Sequence, residues 1–67
     1  MKNYKIIKNK EDLLNYKGCE LIIFDNDLSL ARNTKMLKFD NLLEIKGCLD
    51  LEKNQGNLKF PKLKNNY

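Results

Sequence analysis

The residues best suited to chemistry lie in one short stretch, where Asp25, Asp27 and Ser29 alternate directly after the apolar run Leu21–Phe24. Carboxylates at the end of a buried strand can act as nucleophiles or supply hard oxygen ligands to a divalent cation. Histidine is absent from the 67-residue sequence, which removes histidine zinc ligands and a histidine general base. A catalytic hypothesis for this chain therefore depends on this stretch.

The stretch resembles the nucleophile strand of haloacid-dehalogenase-type phosphatases, in which one aspartate attacks phosphorus and a second serves as acid and base beside magnesium. The resemblance also implies a distant hydroxyl, a lysine and another acidic pair, but an internal repeat occupies the 38 residues after Ser29. A calcium loop fails too, because Leu30 stands where an EF-hand needs glycine and Met36 where it needs glutamate. We therefore predict a turn at Asp25 and no catalytic residue, metal site or cofactor.

The two cysteines, Cys19 and Cys48, have no metal-ligand spacing and no histidine to activate them. We expect both to be free thiols on small, half-buried residues in a reducing compartment. No apolar run approaches the ~20 residues of a membrane-spanning helix, and the N-terminus lacks a secretory apolar region. These features predict a cytoplasmic protein that is not an enzyme and has no membrane partner.

An internal repeat of 21 residues determines the predicted architecture. The segments Leu28–Leu42 and Leu49–Leu63 are identical at seven of 15 positions. A fixed period of roughly 20 to 50 residues is typical of stacked structural repeats. The identical positions are Leu28, Leu30, Asn33, Leu37, Lys38, Phe39 and Leu42 with their counterparts 21 residues later.

One repeat contains two pairs of apolar residues at alternate positions. Leu28 and Leu30 point to one face of a short strand, and Leu37 and Phe39 form a second pair on the returning side. Asn33 follows the first pair, where its amide can bond exposed backbone groups and stack on the equivalent amide of the next repeat. We expect Gly47 to permit the turn between repeats.

The strand phrases Leu28-x-Leu30-x-x-Asn33 and Leu49-x-Leu51-x-x-Asn54 resemble those of leucine-rich repeats. The likeness extends to the solenoid repeats of bacterial and phage leucine-rich-repeat-like proteins and of receptor L-domains. It implies a β-solenoid of about two and a half 21-residue coils that binds protein on its strand face and carries out no chemistry.

The N-terminal third lies outside the repeat and is predicted to form a strand and a helix that cap the first coil. Tyr4–Lys8 reads as a strand, and Asn9 can cap a helix over about Lys10–Lys17 whose inward face is Leu13, Leu14 and Tyr16. Gly18 is expected to end that helix.

These elements predict a single domain over residues 1–67 that is mainly β with a short N-terminal helix. The cap covers residues 1–18, the repeats 19–63 and a flexible tail 64–67. No equivalent cap follows Leu63, so we expect self-association through the uncapped C-terminal end.

Two charged surfaces remain if the leucines point inward. One is an acidic strip formed by Asp27, Ser29, Asp50 and Glu52, in a chain whose net charge is +4. The other is a basic edge formed by Lys35, Lys38, Lys59 and Lys62.

These surfaces suggest a protein-interaction module whose acidic strip binds a protein partner. The alternative is a phage- or mobile-element-encoded inhibitor, similar to anti-CRISPR proteins, whose acidic strip blocks the nucleic-acid-binding surface of a host defence nuclease. The basic edge could instead follow a nucleic-acid backbone.

Overall fold

The computed structural model describes residues 3–64, which contain short strands and one six-residue helix joined by turns and loops. In chain order the elements are β1 (Tyr4–Ile7), α1 (Lys10–Asn15), β2 (Leu21–Phe24), β3 (Leu28–Ser29), β4 (Met36–Lys38), β5 (Leu42–Ile45), β6 (Leu49–Asp50) and β7 (Asn57–Lys59). The prediction of a mainly β chain with a short N-terminal helix is confirmed. No helix among these residues is long and apolar enough to cross a membrane.

The strands form three small parallel sheets: sheet A in the order β1-β2-β5, sheet B of β3 and β6, and sheet C of β4 and β7. In sheets B and C each residue lies opposite the one 21 positions later, as in Leu28 with Leu49 and Leu37 with Leu58. Sheet A keeps that register from Ile23 onward, after a bulge beside Ile22. The 21-residue period is therefore the register of the strands within the repeats, whereas β1, which precedes them, pairs with β2 so that Tyr4 lies opposite Leu21.

The interior is one apolar cluster to which all three sheets and the helix contribute. Its buried members are Ile7, Leu13, Ile22, Phe24, Leu28, Leu30, Phe39, Leu42 and Ile45. Burial falls in the second repeat, where Leu51 is 41% exposed although its counterpart Leu30 is 2% exposed. Leu51 is therefore not buried as Leu30 is, because no described strand lies beyond β6 to cover it.

Two side-chain ladders join equivalent positions of neighbouring repeats. The Asn33 amide donates to Asn54 Oδ1 at 3.1 Å and to Lys35 O at 2.7 Å, and Asn54 bonds to Gly56 in the same way. The rings of Phe39 and Phe60 stack with centroids 5.2 Å apart and planes 5° from parallel. The expected stacking of amides is thus observed, and it fixes the turn that follows each strand of sheet B.

Two residues, one in the turn after β3 and one in the turn after β6, have left-handed backbone conformation, and neither is a glycine. Arg32 and Lys53, 21 positions apart, have φ of 59° and 56°, whereas no described glycine has a positive φ. Gly47 was expected to permit a turn by its backbone freedom, and that reason is wrong. A Cβ at position 47 would lie 2.5 Å from the Asp27 amide nitrogen, so the close approach of these two segments of the chain requires glycine.

The N-terminal segment extends sheet A and then crosses the first repeat as a helix. Asn9 Oδ1 accepts from the Glu11 amide at 2.7 Å, so the predicted cap is present. The helix ends at Asn15, earlier than the expected Lys17, because Tyr16 already has extended backbone angles. Leu13 is buried, but Leu14, expected to face inward as well, is 41% exposed.

Candidate interaction surfaces

The acidic strip is assembled by the pairing of β3 with β6. Ser29 lies directly opposite Asp50, and its hydroxyl is 3.4 Å from Asp50 Oδ2. Glu52 follows Asp50 closely, and its amide donates to Asp50 Oδ1 at 3.0 Å. The predicted residues Ser29, Asp50 and Glu52 are therefore neighbours on an exposed surface.

Some carboxylates of the acidic strip also make hydrogen bonds that stabilise the fold. Asp27 Oδ1 accepts from the Cys48 amide at 2.7 Å, across the gap between the two repeats. The carboxylates of Asp27 and Asp50 thus satisfy backbone groups at the ends of short strands, as side chains commonly do where a ladder ends. Glu52 is the member of the strip whose carboxylate has no such bond within residues 3–64.

The basic edge is only partly brought together. Lys38 and Lys59 are paired in sheet C and both are exposed, but Lys38 Nζ lies 3.5 Å from Asp40 Oδ1. Lys35 and Lys38 both line a groove beside the helix, whereas Lys62 lines a different one with Tyr4, Leu21 and Leu43. Among the described lysines these four do not form a continuous stripe along one edge.

The stretch that could have carried catalysis is a connection between strands. The Asp25 amide donates to Ile7 O at 2.9 Å, and Asn26 Oδ1 accepts from the amide of Asp27 at 2.8 Å. No group of three or more His, Cys, Asp or Glu side chains within residues 3–64 is arranged to hold a metal ion. Cys19 and Cys48 are free as expected, but both are exposed, so the prediction that they are half-buried is wrong.

A groove between α1 and β4, called here the α1–β4 groove, was not foreseen from the sequence. It consists of two adjoining cavities of about 260 and 490 Å³, both lined by Leu14 and Leu37. The helix is six residues long and Leu13 is its buried residue, so Leu14 is left exposed beside Leu37. The sequence signal was Leu14, an apolar residue on a helix too short to bury both of its leucines.

Comparison of the chain with protein families, with curated proteins and with solved structures found no match. The functional assignment therefore depends on the geometry of the chain's own residues.

Proposed function

We propose that this chain is a β-solenoid of the leucine-rich-repeat-like type that binds a protein partner through the acidic strip and performs no chemistry. Three sets of parallel strands with a common 21-residue register support the solenoid assignment. Side chains that repeat in register give such folds a flat, rigid surface, which suits them to binding.

The observation that carries the proposal is the pairing of Ser29 with Asp50 on the exposed face of sheet B. The strip around this pair carries the carboxylates of Asp27, Asp50 and Glu52, in a chain with 13 basic and nine acidic residues. Internal hydrogen bonds hold Asp50 in place, so a partner would meet a preorganised carboxylate beside the freer Glu52. Complementary charge of this kind favours specific partners and faster association.

The test is the double substitution Asp50→Asn/Glu52→Gln, which removes two charges. The asparagine oxygen can still accept from the backbone amide of residue 52, and its NH2 group can donate to the Ser29 hydroxyl, so both internal bonds of Asp50 have a replacement. Immobilised wild-type and substituted chains are used to capture proteins from a bacterial lysate, with Glu11→Gln/Glu20→Gln as the matched control at two exposed carboxylates.

The proposal predicts that a specific partner captured by the wild type is lost with the strip variant and retained with the control. Loss of a nuclease in that comparison would favour the inhibitor alternative over a general interaction module. Retention of all partners by the strip variant would exclude the acidic strip as the binding surface.

A further inference from the structure

β4 has an open edge that faces away from β7. Phe39 N donates to Lys59 O, and Asn57 N donates to Lys35 O, so the ladder bonds use Lys35, Leu37 and Phe39. In a parallel ladder alternate residues face the same neighbour. The N–H and C=O groups of Met36 and Lys38 therefore point away from β7, and no residue of 3–64 bonds to them through its backbone.

The α1–β4 groove runs along this part of the chain. Polar and apolar groups both line it. The apolar side chains, called here its floor, include Leu14 and Leu37, and its inner end reaches the buried Phe39. An open strand edge beside an apolar floor is the arrangement that binds extended peptides by strand addition, with main-chain bonds for affinity and side-chain pockets for selectivity.

The rim of the groove is strongly basic. It carries Lys10, Lys17, Arg32 and Lys35, none of which is ion-paired within residues 3–64. The carboxylate that lines the groove, Asp40, lies beside Lys38 and leaves those four cations uncompensated. An occupant that carries acidic residues next to its apolar ones would match both the rim and the floor.

We propose that the α1–β4 groove binds a short extended segment of another protein, with alternating apolar and acidic residues, which joins sheet C beside β4. The cavities accommodate a few side chains, and so suit a peptide segment better than a folded surface. A second copy is a poor occupant because it brings its own excess of lysines, and Asp50 in its Leu49–Glu52 segment is already hydrogen-bonded. The groove is separate from the acidic strip and independent of the function proposed for it.

The test uses a fluorescent peptide of alternating leucine and glutamate, with binding measured by fluorescence anisotropy. The expected result is saturable binding that a peptide of alternating leucine and lysine does not show. Binding should weaken about tenfold in Lys10→Glu/Lys35→Glu, since two contacts become repulsive. The control Lys53→Glu/Lys59→Glu makes the same charge change at exposed positions of the second repeat and should bind within about twofold of wild type.

Strand addition is tested with N-methylated versions of the same peptide on the wild-type protein. Methylating one set of alternate amides should abolish binding, while methylating the other set should leave it intact, because only one set of N–H groups can face β4. The amides of Met36 and Lys38 should also exchange hydrogen more slowly when peptide is bound.

Four outcomes would overturn the proposal. The first is an equal loss of peptide affinity in the control variant, and the second is an equal effect of the two methylation patterns. The third is displacement of the peptide by anionic phospholipid vesicles. The fourth is self-association of the chain that Lys10→Glu/Lys35→Glu abolishes. The first two would show non-specific charge attraction or no strand addition. The last two would identify a membrane surface or a second copy as the occupant.

Discussion

At the scale of single residues, the left-handed turns at Arg32 and Lys53 carry a conformational cost. For residues with a Cβ this backbone region is disfavoured by roughly 1–2 kcal/mol, whereas glycine enters it freely. Both positions carry a basic residue nonetheless, with φ of 59° and 56°. Arg32 lines the α1–β4 groove, so strain and a proposed binding role coincide there.

Lys53→Gly is expected to raise the free energy of unfolding by about 0.5–1 kcal/mol, because relief of the left-handed strain exceeds the added entropy of the unfolded chain. Urea denaturation followed by circular dichroism measures the change. Lys59→Gly is the control, since that residue lies in β7 and glycine weakens a strand. A loss of stability in both variants would contradict the strain argument.

The asparagine ladder is the second feature at this scale. Asn33→Ala removes the amide that bonds both Lys35 O and Asn54 Oδ1, and leaves these groups without that partner. We expect a loss of about 1–3 kcal/mol in the free energy of unfolding, again from urea denaturation. Asn57→Ala, at an exposed position whose side chain makes no hydrogen bond within residues 3–64, should change stability by less than about 0.5 kcal/mol.

At the scale of elements, paired strands of one sheet differ in what covers them. Leu30 and Leu51 occupy the same position of successive repeats, yet they are 2% and 41% exposed. β3 is paired with the second repeat on one side, and its leucine shares the core with Leu13 of the helix. Within the described chain, β6 has a neighbour on one side and no such cover. Equivalent residues therefore contribute unequally to stability.

Leu30→Ala should lower the free energy of unfolding by about 2–4 kcal/mol, and Leu51→Ala by about 1 kcal/mol or less. Denaturant melts of both variants at low protein concentration provide the comparison. Equal losses would mean that Leu51 is covered in solution, and a larger effect at high concentration would indicate that a second molecule covers it.

At the scale of the whole molecule, the end formed by β6 and β7 is open. Four apolar residues at this end pack against the core but stay half-buried: Leu49, Leu58, Phe60 and Leu63. Within residues 3–64, β6 and β7 each have one free edge. Lys64 N donates to Leu43 O at 2.9 Å, which is a single backbone bond from the segment after β7 to β5. Unpaired parallel edges with exposed leucines are templates for association.

We expect concentration-dependent self-association in sedimentation velocity, and a shift toward monomer in Leu51→Lys. Ile6→Lys is the control, because Ile6 is 60% exposed but lies in β1, at the opposite edge of sheet A from β5 and outside the repeats. A monomer at all concentrations in the wild type would contradict this prediction.

The sequence by itself determined the strand content, the register of the repeats and the asparagine ladder. Those features repeat in the chain, and identical residues 21 positions apart favour identical contacts in neighbouring strands. The helix cap at Asn9 could also be predicted from the sequence, because it depends on backbone amides two and three residues away. Local and periodic interactions leave their pattern in the order of residues.

Only the tertiary structure decided how deeply each equivalent residue is buried and where the charges meet. Lys35 and Lys62 were both assigned to one basic edge but line different grooves, since their positions depend on how the chain turns between sheets. Gly47 is required by the approach of Asp27, a residue 20 positions earlier, and the α1–β4 groove by the helix ending at Asn15. These features depend on which distant segments come together, and a sequence pattern carries no distances.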